Sequence, residues 1–322
     1  MMKWHFVEMH CHTLHSDGSF TPEDLAQAAR DDMLDGLALT DHNAMSGHKG
    51  LRATGMPFIP GIEWTTFFGH MLVLGAKEYV DWRDATPDNI DEKMRAVHAA
   101  GGLVGVAHPF DLGSPMCTGC YWDFRVQDWN NVDYIEVWHG EFPPMQDWKT
   151  RRAMKMWTDA LDSGCRIAPM YGADWHGREF NAQPMAVTML GGENEAFTAE
   201  GGYEAVQKGR VMLTLGPAPY WHLSDGESTY EMGDTVRPGK YTAHVRVDDT
   251  ARRRIWQRFD IAAEEVVFYG RFGEELARAQ LVNGEAQVEL ELNTTFVRME
   301  VHGQAMQKKC PVAVSAAIYV EE

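Results

Sequence analysis

The chain is organised around Met9-His10-Cys11-His12-Thr13-Leu14-His15-Ser16-Asp17-Gly18, a stretch that carries three imidazoles and a carboxylate. It follows the apolar-leaning run 4–9, which predicts a strand. Side chains two residues apart on a strand share a face, so His10 and His12 point the same way, and Asp17 can return from the following turn. Imidazole and carboxylate ligands together favour zinc, manganese or iron over magnesium. Taken alone, the stretch fits either a metal site or a half-exposed edge strand that carries histidines.

Ligand-type side chains recur beside predicted strands further along the chain. The apolar strands are expected over 37–40, 58–62, 71–74, 103–107, 134–139 and 166–172. The candidate metal ligands beside them are His42, Glu63, His70, His108, Asp174 and His176. His70 opens its strand, whereas the other candidates follow theirs. Asp174 and His176 repeat the two-residue spacing of His10 and His12.

Helices are predicted between these strands. Thr21-Pro22-Glu23-Asp24 has the N-cap, the first-turn proline and the acidic residues of a helix that continues to about Asp35, and further helices are expected over 86–101 and 150–163. Strands that alternate with helices, each strand followed by a polar residue, predict a parallel, TIM-like β/α barrel with its site at the C-terminal strand ends. Of the 14 histidines, 11 lie before residue 177, which favours coordination over scattered surface positions. The histidines that we interpret as ordinary capped or solvated residues are His5, His48 and His98.

Size and charge narrow the class of protein. At 322 residues, one large domain plus a small one is expected. Lys+Arg of 29 against Asp+Glu of 47 gives a net charge of −18, which argues against a nucleic-acid partner and means that an anionic substrate must be attracted locally. No signal-peptide pattern and no stretch of about 20 apolar residues is found, so we expect a soluble cytoplasmic protein without a membrane partner. The five cysteines make no disulfide framework, and for the close pair Cys117 and Cys120 a structural zinc is the minor alternative.

Beyond residue 216 the sequence pattern changes. The runs that alternate apolar with polar residues are 241–248, 286–292 and 297–302. We therefore expect two domains, 1–216 and 217–322, the second being a small antiparallel β-sandwich-like domain packed on the first. It offers no cluster of metal ligands. Arg252-Arg253-Arg254 is a short basic run that we interpret as a salt-bridged loop rather than a binding patch.

In their order along the chain, these motifs resemble those of the PHP family, the polymerase and histidinol phosphatase metallohydrolases. The matching segments are His10-Cys11-His12-Thr13, Ser16-Asp17-Gly18, Thr40-Asp41-His42, Gly61-Ile62-Glu63, His108-Pro109 and Gly172-Ala173-Asp174-Trp175-His176. The resemblance covers about the first two-thirds of the chain and implies a distorted (β/α)7 barrel that holds two or three divalent ions. Carried over by position, it implies His10, His12, Glu63 and Asp174 around the first ion, Glu63, His70 and His108 around the second, and Asp17, His42 and His176 around the third.

Further segments are similar to the branch of that family named after a carbaryl hydrolase, the CehA/McbA-like branch. They are Thr40-Asp41-His42-Asn43, Gly61-Ile62-Glu63-Trp64-Thr65-Thr66, Gly69-His70, Ile135-Glu136-Val137-Trp138 and Thr214-Leu215-Gly216-Pro217. The chain departs from the branch at His139, where Asn is usual, and at Trp175, which adds bulk beside the implied metals.

We expect a metal-dependent hydrolase, because ions that share ligands lower the pKa of water and polarise the bond that is attacked. The residues expected to take part in catalysis are Asp17, His42, Glu63 and His176, and those expected to contact the substrate are His139, Arg178 and Trp64. Glu63 is the expected bridge between two ions, since each carboxylate oxygen can bind one of them. The predicted substrate is a small-molecule phosphate ester. The alternatives are a carboxylic ester or carbamate, as the carbaryl-hydrolase-like branch suggests, and a non-catalytic metal-dependent binding module.

Two sets of side chains bear on the substrate class. Basic residues near the motif loops, which would hold a phosphate group, are Lys49, Arg52, Lys149 and Arg178. Apolar residues that either line a pocket for an uncharged ester or pack in the core are Trp64, Phe67, Phe68, Met116 and Trp122.

Overall fold

The computed structural model describes residues 2–113, 119–145, 147–178 and 183–321; Met116 and Cys117 lie outside these ranges. The strands of the first part are β1 (Lys3–Cys11), β2 (Gly36–Leu39), β3 (Phe58–Thr65), β4 (His70–Leu74), β5 (Leu103–Val106), β6 (Tyr134–His139), β7 (Ala168–Gly172), β8 (Val187–Gly192) and β9 (Val211–Thr214). Its helices are α1 (Pro22–Asp31), α2 (His48–Ala53), α3 (Ile90–Ala99), α4 (Asp147–Asp162) and α5 (Ala199–Gln207), with 3₁₀ turns at Trp129–Asn131 and Pro143–Met145.

The second part is made mostly of strands. They are β10 (Ala218–Ser224), β11 (Thr229–Tyr230), β12 (Thr235–Val236), β13 (Gly239–Asp248), β14 (Ala262–Tyr269), β15 (Glu275–Gln280), β16 (Glu285–Leu292), β17 (Phe296–Ala305), β18 (Lys308–Ser315) and β19 (Ile318–Val320). The short helix α6 (Arg253–Trp256) and the 3₁₀ turns Gln257–Phe259 and Arg271–Gly273 connect them. Among the helices of the described residues, none combines the length and the apolarity that a membrane span requires.

Two helices are shorter than the sequence predicts. Helix α1 begins as expected, with the Thr21 hydroxyl accepting a hydrogen bond from the Asp24 amide. It ends at Asp31 instead of continuing to Asp35, because Met33 takes a left-handed conformation at φ 57°. Helix α3 begins four residues later than predicted, at Ile90, since residues 86–89 form a turn closed by the Asn89 side chain.

The first seven strands bring their ligand-bearing ends together. Strands β1, β2 and β3 are parallel, and so are β5, β6 and β7. Strand β4 is the exception to the predicted parallel order, because it pairs antiparallel with both β3 and β5. Its reversal places its first residue, His70, at the same edge as the last residues of its neighbours. The segment that follows β7 meets β1 at an isolated bridge between Trp175 and Cys11, and the closed barrel stays a prediction.

The carboxy-terminal strands belong to two sheets. One is a four-stranded antiparallel sheet in the order β11-β10-β13-β16, and β16 alternates exposed with buried residues along most of its length, as predicted. The other strands join the first part: β18 pairs antiparallel with β9, and β17 pairs with β18 and β14. The large sheet therefore runs through both parts of the chain. The sandwich packing and the boundary after residue 216 stay predictions.

Strand β5 leaves no room for a side chain at Gly105. A Cβ atom there would lie 2.0 Å from the ring of Tyr134, which is fully buried. We expect Gly105→Ala to lower the free energy of unfolding by roughly 1–3 kcal/mol, because a buried ring in a packed core cannot move aside freely. Urea denaturation measures the change. The matched control is Gly192→Ala at the end of β8, where nothing lies within 4 Å of the added methyl group. Equal stability of the two variants would contradict the prediction.

Candidate metal centre

The strand ends assemble three groups of side chains that could each hold a metal ion. They are His10, His12, Glu63 and Asp174; His42, Glu63 and His70; and His12, Asp17, His42 and His176. Within each group the ligand atoms lie within 4.8 Å of one another. The first group has the composition expected for the first ion. In the second group His42 takes the place expected for His108, and His12 joins the third.

Glu63 lies at the centre of the cluster, fully buried at the middle of five imidazoles. Its Oε2 atom is 2.7 Å from His42 Nδ1, 3.2 Å from His10 Nε2 and 3.4 Å from His12 Nε2. Its Oε1 atom is 2.9 Å from His70 Nδ1 and 3.1 Å from His108 Nε2. The two oxygens thus face different sets of imidazoles, which is the arrangement that a bridging carboxylate needs.

Two aspartates complete the cluster at different depths. Asp174 Oδ1 lies 2.9 Å from His12 Nε2, and the residue takes a left-handed conformation at φ 52°, a strained geometry that is typical of functional sites. Asp17 Oδ1 lies 3.0 Å from His176 Nε2 and 3.4 Å from His42 Nε2. The side chain of Asp17 is 60% exposed, whereas that of Glu63 is fully buried. The centre therefore opens to solvent on the side of the Asp17 group.

Glu136 contacts two of the candidate ligands, His10 and His108, and orients them. Its Oε1 lies 2.8 Å from His10 Nδ1, and its Oε2 accepts a hydrogen bond from the His108 amide at 2.8 Å. A carboxylate on one ring nitrogen of a histidine fixes the other nitrogen toward a metal. Gly172 provides the space, because a Cβ atom there would lie 1.9 Å from Glu136 Oε1. Glu136 is not among the candidate residues predicted from the sequence, although an acidic residue inside an apolar strand indicates a buried carboxylate that needs a partner.

Two further carboxyl groups hold the backbone of the first motif. Asp41 accepts hydrogen bonds from the Thr13 amide at 2.6 Å and from the Ser16 hydroxyl at 2.9 Å. Glu8 Oε1 accepts from the amides of His10 and Ala173, at 2.9 and 2.8 Å. Burial raises the pKa of Glu8 to about 8, against the lowering effect of these two hydrogen bonds. Neither residue is among the candidate site residues predicted from the sequence.

The predicted substrate contacts differ in where they lie. His139 is beside the cluster, with its Nε2 3.0 Å from Asp111 Oδ2 and 3.9 Å from Asp174 Oδ2. Trp64 is buried in the hydrophobic core, and Arg178 forms an ion pair with Asp31 at 2.8 Å. The structure thus brings His139 to the candidate ligands, while core packing accounts for Trp64.

Carboxylates raise the pKa of two histidines of the cluster, His108 and His176. Burial opposes the charged form of His108. The hydrogen bond to Glu63 and the negative charge of Glu63 outweigh this effect and raise the pKa of His108 to about 9. Burial likewise opposes the charge of His176, and the hydrogen bond to Asp17 raises its pKa to about 9. A divalent cation would replace such protons with positive charge of its own.

The buried atoms of the cluster fit a divalent metal. Those that lack a hydrogen-bond partner among the described residues are His10 Nε2, both ring nitrogens of His12, Glu63 Oε2, His70 Nε2, His108 Nδ1 and Asp174 Oδ1. Buried polar atoms are rarely left without a partner, since each costs roughly 1–3 kcal/mol. Nitrogen and carboxylate donors together suit zinc, manganese or iron. The residues present therefore fit such ions, and candidate divalent-metal ligands are assembled at one place.

Comparison with known proteins gives one family match and several similar solved structures. Residues 8–97 match the family model of the PHP domain. A two-domain protein from Bacteroides vulgatus, which contains a predicted PHP-like metal-dependent phosphoesterase, matches 98% of this chain and 96% of its own, with 13% identity and a TM-score of 0.51. A protein from Bifidobacterium adolescentis that was assigned as a metal-dependent phosphoesterase matches 63% of this chain and 94% of its own, with 19% identity and a TM-score of 0.38. No curated protein matches the chain significantly.

The match to the PHP domain covers the first six candidate ligands, from His10 to His70. The likeness to the Bacteroides protein extends over nearly the whole chain and concerns the fold. Residues 8–97 of this chain thus match the PHP domain, and the chain shares its overall mixed α/β fold with that two-domain protein.

Proposed function

We propose that this chain is a metal-dependent hydrolase with two or three divalent ions, and that its substrate is a small-molecule phosphate ester. The observation that carries the proposal is the position of Glu63, whose two oxygens face separate sets of imidazoles within 2.7–3.4 Å. The match of residues 8–97 to the PHP domain supports it. We also expect the first seven strands to form the distorted barrel typical of that domain.

The residues of the chain have separate tasks in this proposal. The groups of His10, His12, Glu63 and Asp174, of His42, Glu63 and His70, and of His12, Asp17, His42 and His176 would hold the ions. Bound divalent ions supply Lewis acidity and lower the pKa of water. Glu136 keeps Nδ1 of His10 occupied, so that Nε2 faces Glu63 and Asp174. The exposed Asp17 marks the side from which a substrate reaches the centre.

The substrate class is inferred from charge beside the cluster. Lys149 lines a cleft together with His108 and His139, and its ammonium group is paired with Asp111. Of the other basic residues considered, Arg178 is paired with Asp31 and Arg52 lies over the ring of Phe58. A lysine near the centre favours an anionic substrate on a chain whose net charge is −18.

Metal reconstitution tests the proposal. We expect protein treated with chelator and reloaded with manganese, zinc or iron to hydrolyse p-nitrophenyl phosphate or its bis-ester, because the cluster supplies nitrogen and oxygen donors for these metals. The specificity constants for these substrates are compared with those for naphthyl acetate and a naphthyl carbamate. Chelated protein without added metal is the control.

Each other outcome favours a named alternative. A much larger specificity constant for the uncharged esters would overturn the choice of phosphate esters and favour the carbaryl-hydrolase-like branch. Stoichiometric metal binding without turnover of any of these substrates would favour a non-catalytic metal-dependent module.

A further inference from the structure

A second cavity, separate from the metal centre, lies against residues 252–259. Its volume is about 220 Å³, and its lining includes Arg252, Arg254 and Arg258 together with Trp175 and Trp256. The cavity lies between the first part of the chain and the segment that precedes β14, on a chain that otherwise carries a large excess of acidic residues.

The lining carries more positive than negative charge. Its lining residues include three arginines and two acidic residues, Glu8 and Asp32. Even with both carboxyl groups ionised the balance is positive, because arginine keeps its charge at any physiological pH. Arg252 is half-buried, whereas Arg254 and Arg258 are exposed to solvent, and positive charges clustered beside a cavity attract anions.

Two of the three guanidinium groups, those of Arg252 and Arg254, donate to backbone carbonyl groups. Arg252 donates from Nε and Nη2 to the Asp32 carbonyl at 3.0 and 2.8 Å, and Arg254 donates from Nη2 to the Asp31 carbonyl at 3.1 Å. Among the described residues, no carboxylate forms an ion pair with either guanidinium group. Burial lowers the pKa of Arg252 to about 10. The nearby carboxylates, of which Asp32 has the largest effect, offset only part of the cost of burying the positive charge. An anion in the cavity would add to the counter-charge that these carboxylates supply.

Apolar groups define the rest of the cavity. Trp175, Trp256 and Phe259 line it, and all three are at least nine-tenths buried in the protein. Arg252 at φ 49° and Asp260 at φ 51° bracket the segment in left-handed conformations, so the backbone is held in a defined and costly shape at both ends. A pocket with a few charged groups on an aromatic wall suits a ligand with an anionic head and an apolar body.

We propose that this cavity binds a small organic anion, a carboxylate or phosphate group on an apolar body, through Arg252, Arg254 and Arg258. The site is distinct from the metal centre but adjacent to it in the chain. Trp175 lines the cavity and stands between Asp174 and His176. Of the salt-bridged loop expected from the sequence, the described residues form one pair, Arg253 with Asp249, whereas Arg252 and Arg254 donate to backbone carbonyl groups.

Isothermal titration of the metal-loaded protein with benzoate tests the proposal. We expect one equivalent to bind, and the double variant Arg254→Gln with Arg258→Gln to raise the dissociation constant about tenfold or more, because it removes two charged donors. The matched control is Arg253→Gln. Arg253 belongs to the same segment and is exposed, as Arg254 and Arg258 are, but it pairs with Asp249 at 3.8 Å and does not line the cavity. This control should bind benzoate as the wild type does.

A second variant separates the two sites. Benzoate bound on the metals would be lost in Glu63→Gln and kept in the double arginine variant, and that result would overturn the proposal. Wild-type protein that binds no benzoate at about 10 mM would also overturn it, because affinity would then be weaker than that of ordinary metabolite sites. An unchanged affinity for benzoate in the double variant, with its fold verified by circular dichroism, would likewise overturn the proposal.

Discussion

The Glu63→Gln variant is expected to lose at least one metal equivalent and to lower hydrolytic activity by about 100-fold or more. Glutamine keeps the shape of the side chain but replaces one oxygen and the negative charge by an NH₂ group, which cannot bind a cation. Both oxygens of Glu63 face imidazole nitrogens within 3.4 Å, so the amide removes a donor from one side whichever way it turns. No other carboxylate belongs to two of the three ligand groups.

Metal content by inductively coupled plasma mass spectrometry measures this effect. The matched control is Glu8→Gln, a buried carboxyl group in β1 that accepts hydrogen bonds through one oxygen and belongs to none of the three groups. An amide keeps that acceptor, so the control should retain its metal. Wild-type stoichiometry in folded Glu63→Gln would refute the bridging role.

The Glu136→Gln variant is expected to weaken metal binding by about 10–100-fold. Both oxygens of Glu136 are used, one by His10 Nδ1 and the other by the His108 amide. An amide has a single acceptor oxygen, so one of these two contacts is lost in either orientation. The ring of His10 or the backbone at His108 then loses its fixed position toward Glu63.

Chelator competition measures the metal dissociation constants, and Glu92→Gln on the exposed surface of α3 serves as the control. A purely structural role of Glu136 would lower the melting temperature of the metal-free protein and leave metal affinity unchanged. That pattern would contradict the positioning role.

Much of the candidate centre could be predicted because its side chains lie at strand ends. His42, Glu63 and Asp174 each follow an apolar run, and parallel strands bring such ends to one edge. The antiparallel direction of β4 could also be inferred from the sequence. Eight residues, 63–70, separate the predicted strands 58–62 and 71–74, whereas a parallel crossover needs a dozen or more.

Other features depend on contacts that are distant in the sequence. Glu136 meets His10 across 126 positions, and an acidic residue in an apolar strand indicates burial without naming its partner. The end of α1 depends on a left-handed Met33, a conformation that methionine seldom takes, so the sequence pointed to Gly36 instead. The cavity at Arg252 could not be predicted from the sequence, because it forms where the segment 252–259 packs on the first part of the chain.

Strand β18 covers the edge of β9, which pairs through β8 with the strand that carries His10. A chain cut after residue 216 would leave the backbone groups along that edge of β9 open to pairing with other molecules, and edges of this kind promote aggregation. The two parts are therefore not interchangeable modules. Grafting the amino-terminal part onto another protein would require transplanting β18, or a substitute for it, from about 100 residues further along the chain.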